Sequence, residues 1–276
     1  MPDAEFGIEQ PLFATESGHA ALHALRSWVQ RTLGITYSDA QFDIFADRIA
    51  TLCRDLGSTP TALYERIQFG DVETNKRLAE AVSTNYTFFF RETESFDYIE
   101  QKIFPRLPPG PLRFWSAATS SGEEAYSLAM LSRRYFGPDS SRIRVLGTDV
   151  SERQICAAEA AVYPTGSLNE ATLQRASAFF TTLDAGQVRV SEEIRGMCTF
   201  RRMNLLAFPW PFEQKFHLIL LRNVLYYMSP EDGRRVLLAG ARALAPQGYL
   251  TTSLTEPLFA PDYSLRQEAP SIYRQP

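Results

Sequence analysis

Apolar positions in the first third of the chain recur at intervals of three and four. Phe42, Phe45, Ile49 and Leu52 mark one such stripe, the spacing that gathers side chains on one face of a helix. Helices are predicted over "ESGHAALHALRSWVQRTLG", "SDAQFDIFADRIATLCRDLG", "TPTALYERIQFG" and "VETNKRLAEAV", from about residue 16 to 82. Gly34 and Gly57 follow two of these runs as C-terminal stops, because glycine takes the left-handed conformation that ends a helix without a Cβ penalty. Ser38 is placed to cap the second helix with Asp39 in its first turn, and Thr59-Pro60 opens the third in the order favoured at a helix start. Residues 1–82 therefore read as a small all-α N-terminal domain.

The period changes after "RLPPGP" at 106–111. Strand-like runs appear at "LRFWS" (112–116), "IRVLGT" (143–148), "FHLILL" (216–221) and "GYLTTS" (248–253), with helical stretches between them. That alternation predicts an α/β domain over 96–276 with a parallel sheet and crossover helices. Between about 163 and 200, short runs such as "QVRV" and "CTFRR" alternate poorly with helices and read as a small antiparallel β insertion. The stretch "STNYTFFFRETE" at 83–94 obeys neither period. Phe88, Phe89 and Phe90 stand together and run into Arg91, so residues 83–95 read as an interdomain linker whose rings are anchors. An aromatic clamp with an incidental arginine is the plainer alternative.

Composition narrows the function classes. The 276 residues are 45% hydrophobic and 22% charged, with net charge −4, and lysines and arginines are dispersed rather than blocked, so nucleic acid is not an expected partner. The longest apolar runs fall far short of a bilayer span of roughly 20 residues. The acidic Met1–Phe6 start does not resemble a signal peptide, so a cytoplasmic protein without membrane insertion is expected. Cys53, Cys156 and Cys198 lie far apart without a C-x-x-C pair and read as reduced core residues. His19 and His23 have helical spacing but no nearby acidic or thiol partner, and no metal is expected.

Candidate chemistry collects at the predicted strand ends. After the first strand comes "SAATSSGEEAYSLAML", where Ser120 and Ser121 each precede a glutamate by three as in a capping box. A small-residue turn at the carboxyl end of a parallel strand is where α/β sheets bind nucleotide-like ligands. With the single glycine Gly122 and no G-x-G-x-x-G, an adenosine ligand without pyrophosphate fits better than a dinucleotide. Asp149 closes the second strand in "VLGTDVS", where it can accept hydrogen bonds from ribose hydroxyls or simply cap the helix beginning near Ser151. Asn204 suits the flank of an adenine ring. Arg222 and Asn223 end the next strand, and Tyr227 is either a site residue or, with Tyr226, a core aromatic.

"NYTFFFR", "FWSAATSSGEEAYSLAM", "LGTDVS", "MNLL" and "LRNVLYYM", in this order, resemble the chemotaxis-receptor glutamate methyltransferases of the CheR family, from about residue 20 to the C-terminus. The resemblance implies a Rossmann-like class I methyltransferase domain, S-adenosyl-L-methionine as cofactor with S-adenosyl-L-homocysteine as product, and the cytoplasmic domain of a chemoreceptor as protein substrate for a monomeric enzyme. It implies that Asn85, Thr87 and Arg91 contact the cofactor or the reacting groups, and that Glu123 binds the methionyl end and Asp149 the ribose. Asn204 and Leu205 would line the adenine, and Leu221, Arg222 and Asn223 the region near the methyl group. Arg91 and Tyr227 are the positions expected to face the acceptor carboxylate. A glutamate of ordinary pKa, about 4.3, is already ionised at neutral pH, so such a reaction needs alignment and desolvation rather than a general base.

Three features depart from the family. Its arginine-rich second helix reads here "FDIFADRIATLC", with Arg48 inside and Arg54 just after. Members that grip a receptor's C-terminal tether peptide have a longer Gly-containing loop than the "TTLDAG" at 181–186, which implies a tether-independent enzyme. "SLTE" at 253–256 replaces the usual glycine-histidine-serine-glutamate, and no role is expected for it. A methyltransferase for another protein, RNA or a small molecule, and a non-catalytic adapter that binds the cofactor as a signal, are the rival readings.

Overall fold

Local capping chemistry defines the first helices. In a computed structural model that describes residues 15–256 and 264–276, Thr15 accepts the Gly18 amide to start α1 (Glu16–Leu33), and Gly34 at φ 75° ends it. The acidic Met1–Phe6 start lies outside the described residues. Ser38 and Gln41 form a capping box ahead of α2 (Phe42–Asp55). Thr59 caps α3 (Pro60–Gln68) through the Ala62 amide, and Asp71 caps α4 (Val72–Val82) through Thr74. Their apolar stripes meet in a core of Leu22, Leu25, Val29, Phe45, Ile49, Leu63, Leu78 and Val82. Arg48 does not supply a basic face to α2. Its Nη1 donates to the Tyr37 hydroxyl and to the carbonyls of Val82 and Ser83, at 2.9, 2.7 and 3.1 Å, so the guanidinium is a strut within this unit. Arg54 lies in the last turn of α2.

The chain divides into two compact units, Met1–Ser83 and Thr84–Pro276. Residues 84–95, read from the sequence as a linker, belong to the second. Phe89 sits edge-on to Tyr163 and Phe180 at 4.9 and 5.1 Å, and Phe90 packs on Phe96 at 5.3 Å. Both rings are buried in that unit's own core.

After α5 (Thr93–Tyr98) the second unit alternates β1 (Leu112–Ser116), α6 (Glu123–Phe136), β2 (Ile143–Asp149) and α7 (Glu152–Ala160). There follow β3 (Val162–Pro164), α8 (Glu170–Ala176), β4 (Phe180–Leu183), β5 (Gln187–Val190), α9 (Glu192–Arg195) and β6 (Cys198–Arg202). The chain closes with β7 (Phe216–Leu220), α10 (Pro230–Ala243), β8 (Leu244–Thr251), β9 (Arg266–Ala269) and β10 (Ile272–Arg274).

The main sheet has the order β6-β2-β1-β7-β8-β10-β9. Its first five strands are parallel, and β10 runs antiparallel to β8 and β9. The order runs outward from β1 in both directions, so the switch point lies between β1 and β7. "CTFRR" is a correction to the sequence reading: as β6 it pairs in parallel with β2 instead of joining the insertion. The reason is its edge position. Only Phe200 of β6 is buried, so the strand lacks the continuous apolar run of its interior neighbours. "QVRV" does belong to the small antiparallel sheet, of order β3-β5-β4. Gly147 on β2 is required for close packing, since a Cβ there would come within 2.5 Å of the Phe200 ring. No helix among the described residues is long and apolar enough to cross a membrane.

Candidate active site

Five parallel strands deliver their carboxyl ends to one side of the sheet, and the loops that leave them are bonded to one another. Behind β1, Ser120 adopts φ 51°, and its amide donates to Asp149 Oδ2 at 2.9 Å, while the Ser151 amide donates to Oδ1 at 2.9 Å. Asp149 thus ties the first strand tip to the second. Burial pushes its carboxyl up, opposed by the amides of Ser151, Ser120 and Val150. α7 itself is capped by the Ser151 hydroxyl. A carboxylate has about four acceptor positions, so these three amides leave capacity for a further donor.

The predicted serine capping box ahead of α6 is not formed. Gly122 is the N-cap, at φ 96°, and a Cβ there would meet the Ala158 Cβ at 2.8 Å, so the turn is fixed by conformation and close approach. The Ser121 hydroxyl donates instead to Glu123 Oε2 at 2.8 Å. Glu123 is 7% exposed; burial raises its carboxyl, with Ser121 opposing. The third tip follows β6, where the Met203 amide donates to the Asp149 carbonyl at 2.8 Å. Asn204 Oδ1 accepts the Leu206 amide at 2.9 Å and shapes the turn carrying the buried Leu205.

Arg222 lies just past the end of β7. It is 3% exposed, and its guanidinium is committed to protein: Nη1 to Glu124 at 2.9 Å, Nη2 to Glu92 at 3.2 Å and to the Arg91 carbonyl at 2.6 Å. Its Nε is buried without a hydrogen-bond partner among the described residues. Glu124 also accepts the Ser116 hydroxyl at 2.7 Å. Its burial outweighs Arg222, and its carboxyl is raised. Burial also acts on Glu92, but Ser253, Arg222 and Asn223 together hold that carboxyl below its usual range.

"SLTE", given no role from the sequence, is part of this structure. Glu256 is 5% exposed and accepts the amides of Asn223 and Leu225 at 2.7 Å each, of Ser253 at 3.2 Å and of Tyr226 at 3.3 Å. Asn223 stands at φ 57°, and its Nδ2 donates to Glu92 at 3.0 Å. Leu221, at the same tip, is buried and bonded to the Thr251 carbonyl.

The segment before α5 closes the group. The Asn85 carbonyl accepts the Ser120 hydroxyl at 3.3 Å, which brings Asn85 to the first strand tip, two residues before Thr87. Arg91 Nη1 donates to the Tyr86 carbonyl at 2.9 Å, and its guanidinium lies 5.6 and 6.0 Å from the Tyr86 and Phe88 ring centres. The hydroxyls of Tyr226 and Tyr227 are 3.3 Å apart. Burial and then Tyr227 push the Tyr226 phenol up to about 12, with Arg91 opposing by charge and hydrogen bond. Tyr226 thus adjoins both Arg91 and Tyr227 and is half exposed rather than in the core. Sequence reasoning missed Glu92, Glu124 and Glu256. The only local signals were a carboxylate directly after Arg91 and a doubled glutamate after Gly122.

The family described as CheR methyltransferase, SAM binding domain, matches residues 85–269. A chemotaxis protein methyltransferase 1 of Pseudomonas aeruginosa is 31% identical over 93% of this chain and 97% of its own length. A chemotaxis protein methyltransferase of Borreliella burgdorferi is 29% identical over 73% of this chain and 75% of its own. One of Escherichia coli is 29% identical over 83% and 81%.

Proposed function

Because the chain belongs to the CheR methyltransferase family, we propose that it transfers a methyl group from S-adenosylmethionine to glutamate side-chain carboxylates of chemoreceptors, leaving glutamyl methyl esters and S-adenosylhomocysteine. The residues at the strand tips suit this cofactor. Its ribose hydroxyls and ammonium group are donors, and the tips present two buried acceptor carboxylates, Asp149 and Glu123, without a glycine-rich phosphate cradle. Asp149 would hold the ribose, Glu123 the methionyl end, Asn204 and Leu205 the adenine side, and Asn85, Thr87 and the Leu221–Asn223 tip the remaining edges.

The observation that carries the acceptor assignment is the nearness of Arg91 to Tyr226, whose hydroxyl lies 3.3 Å from that of Tyr227. A guanidinium fork holds a carboxylate by two hydrogen bonds, and phenol hydroxyls can donate to the same oxygens. The cofactor, when bound, supplies a methyl carbon activated by its sulfonium. A carboxylate oxygen takes that carbon, the electrons of the broken carbon–sulfur bond stay on sulfur, and no proton moves. The chain's task is alignment and removal of water. The hold on the acceptor must stay weak in the ground state, because over-stabilising the anion would slow its attack.

The turn between β4 and β5 is only Asp184, Ala185 and Gly186, which supports recognition of the receptor without its tether peptide. Incubation with radiolabelled cofactor and a receptor cytoplasmic fragment, followed by base treatment, tests the proposal. Volatile label released as methanol is the expected result, equal with and without the receptor's C-terminal segment. Base-stable label would indicate methylated nitrogen and refute the ester.

A further inference from the structure

Asn223 and Ser253 lie on adjacent strand exits, after β7 and β8, and each bonds to the same two carboxylates. Asn223 gives its amide to Glu256 and its side-chain Nδ2 to Glu92, at 2.7 and 3.0 Å. Ser253 gives its amide to Glu256 and its hydroxyl to Glu92, at 3.2 and 2.7 Å. The two acids are thus joined through a shared pair of donors. Glu92 follows Arg91 directly and sits in the left-handed region at φ 56°. Glu256 also accepts the Leu225 and Tyr226 amides, within the short 3-10 turn Leu225–Tyr227 that carries both tyrosines.

We propose that Glu92, Ser253 and Glu256 form a positioning brace that sets the register of Arg91 against Tyr226 and Tyr227. This rests on the acceptor role given above to those three side chains. The brace acts through backbone: Glu256 holds the Leu225 and Tyr226 amides, and Glu92 is the neighbour of Arg91 in the chain. Arg91 projects from an irregular segment and the tyrosines from a different loop. No helix or strand hydrogen-bond ladder connects the two, so the carboxylates supply the connection. A strained residue such as Glu92 persists where its surroundings over-determine it, and here a cation, an amide side chain and a hydroxyl all fix its carboxylate. An error of about 1 Å in such an alignment is enough to cost roughly a hundredfold in rate, which makes a brace at this point consequential for turnover.

The test uses the full chain with a receptor fragment. Glu256→Gln keeps the size of the side chain but turns an amide NH2 against backbone N–H groups, and Ser253→Ala removes one hydroxyl. The expected result is that kcat falls about tenfold in the first and severalfold in the second, while the Kd for S-adenosylmethionine, by calorimetry, changes by less than about threefold. Unchanged kcat in both variants overturns the brace, as does an equal loss of cofactor affinity, which would mark collapse of the whole tip. Hydrogen exchange in the unmodified protein gives a second measure that needs no variant: the Leu225 and Tyr226 amides should be protected, and exchange at open-loop rates overturns the inference. If the unmodified protein forms no ester, the function reading fails, but the exchange measurement still decides the brace.

Discussion

Replacing Arg222 with methionine removes the one cation that Glu92 and Glu124 share, while keeping a long apolar stem. The Arg222 side chain is 1% exposed, and those of Glu92 and Glu124 are 19% and 13% exposed, so water can solvate the abandoned charges only in part. Breaking a buried pair from one side costs about 3–5 kcal/mol. For a unit running from Thr84 to Pro276, each kcal/mol moves the midpoint by about 2–4 °C, so calorimetry at pH 7.5 should show a fall of roughly 6–20 °C. The deficit should also depend on pH. In the native protein Glu92 has a lowered carboxyl, so its contribution is present above the ordinary glutamate range and is lost as pH falls through the lowered value. Without Arg222 both carboxyls rise above the ordinary range, and the folded variant binds protons more tightly than the unfolded chain. Its deficit is then full at pH 8 and shrinks as pH falls through those raised values. A midpoint shift below about 2 °C at pH 7.5, or a deficit that grows toward pH 5, would refute this account of the buried cluster.

Asp149→Ala should lose about 1.5–3 kcal/mol of S-adenosylmethionine binding, the range for hydrogen bonds to a charged group; calorimetry giving unchanged affinity removes Asp149 from the ribose. Arg91→Ala should keep the thermal midpoint within about 2 °C, since its side chain is half exposed and bonds mainly to the Tyr86 carbonyl, yet should abolish methyl transfer; full activity toward a receptor fragment contradicts the acceptor role. Of the three cysteines only Cys156 is exposed. Burial pushes the Cys53 thiol up to about 11 and raises Cys198 further. A disulfide reagent at pH 8 should therefore modify one thiol quickly, and a second fast equivalent would show that one of these sites opens.

The parts legible in the sequence were those set by local chemistry. Thr59-Pro60 and Gly34 act on residues three or four away, so these helix ends could be read directly. The place of Asp149 at a strand tip was legible because it ends the apolar run that forms β2. β6 was misassigned because an edge strand buries one face only, and β9, with the sequence RQEA, has no apolar pattern to announce it. Glu92 meets Asn223 and Ser253 across 131 and 161 positions of chain. No period links them, and the brace becomes visible only once the sheet has brought its strand ends together. The ion pairs of Arg222 were hidden for the same reason, since Glu92 and Glu124 are distant in the sequence.

The most direct test of the central claim is peptide mapping by mass spectrometry of a chemoreceptor cytoplasmic fragment after incubation with the protein and S-adenosylmethionine. Methyl groups on glutamate side chains, absent when Arg91→Ala replaces the native enzyme, are the predicted result. Methyl groups confined to lysine, arginine or a chain terminus, or an unmodified fragment alongside a small-molecule product, would contradict it.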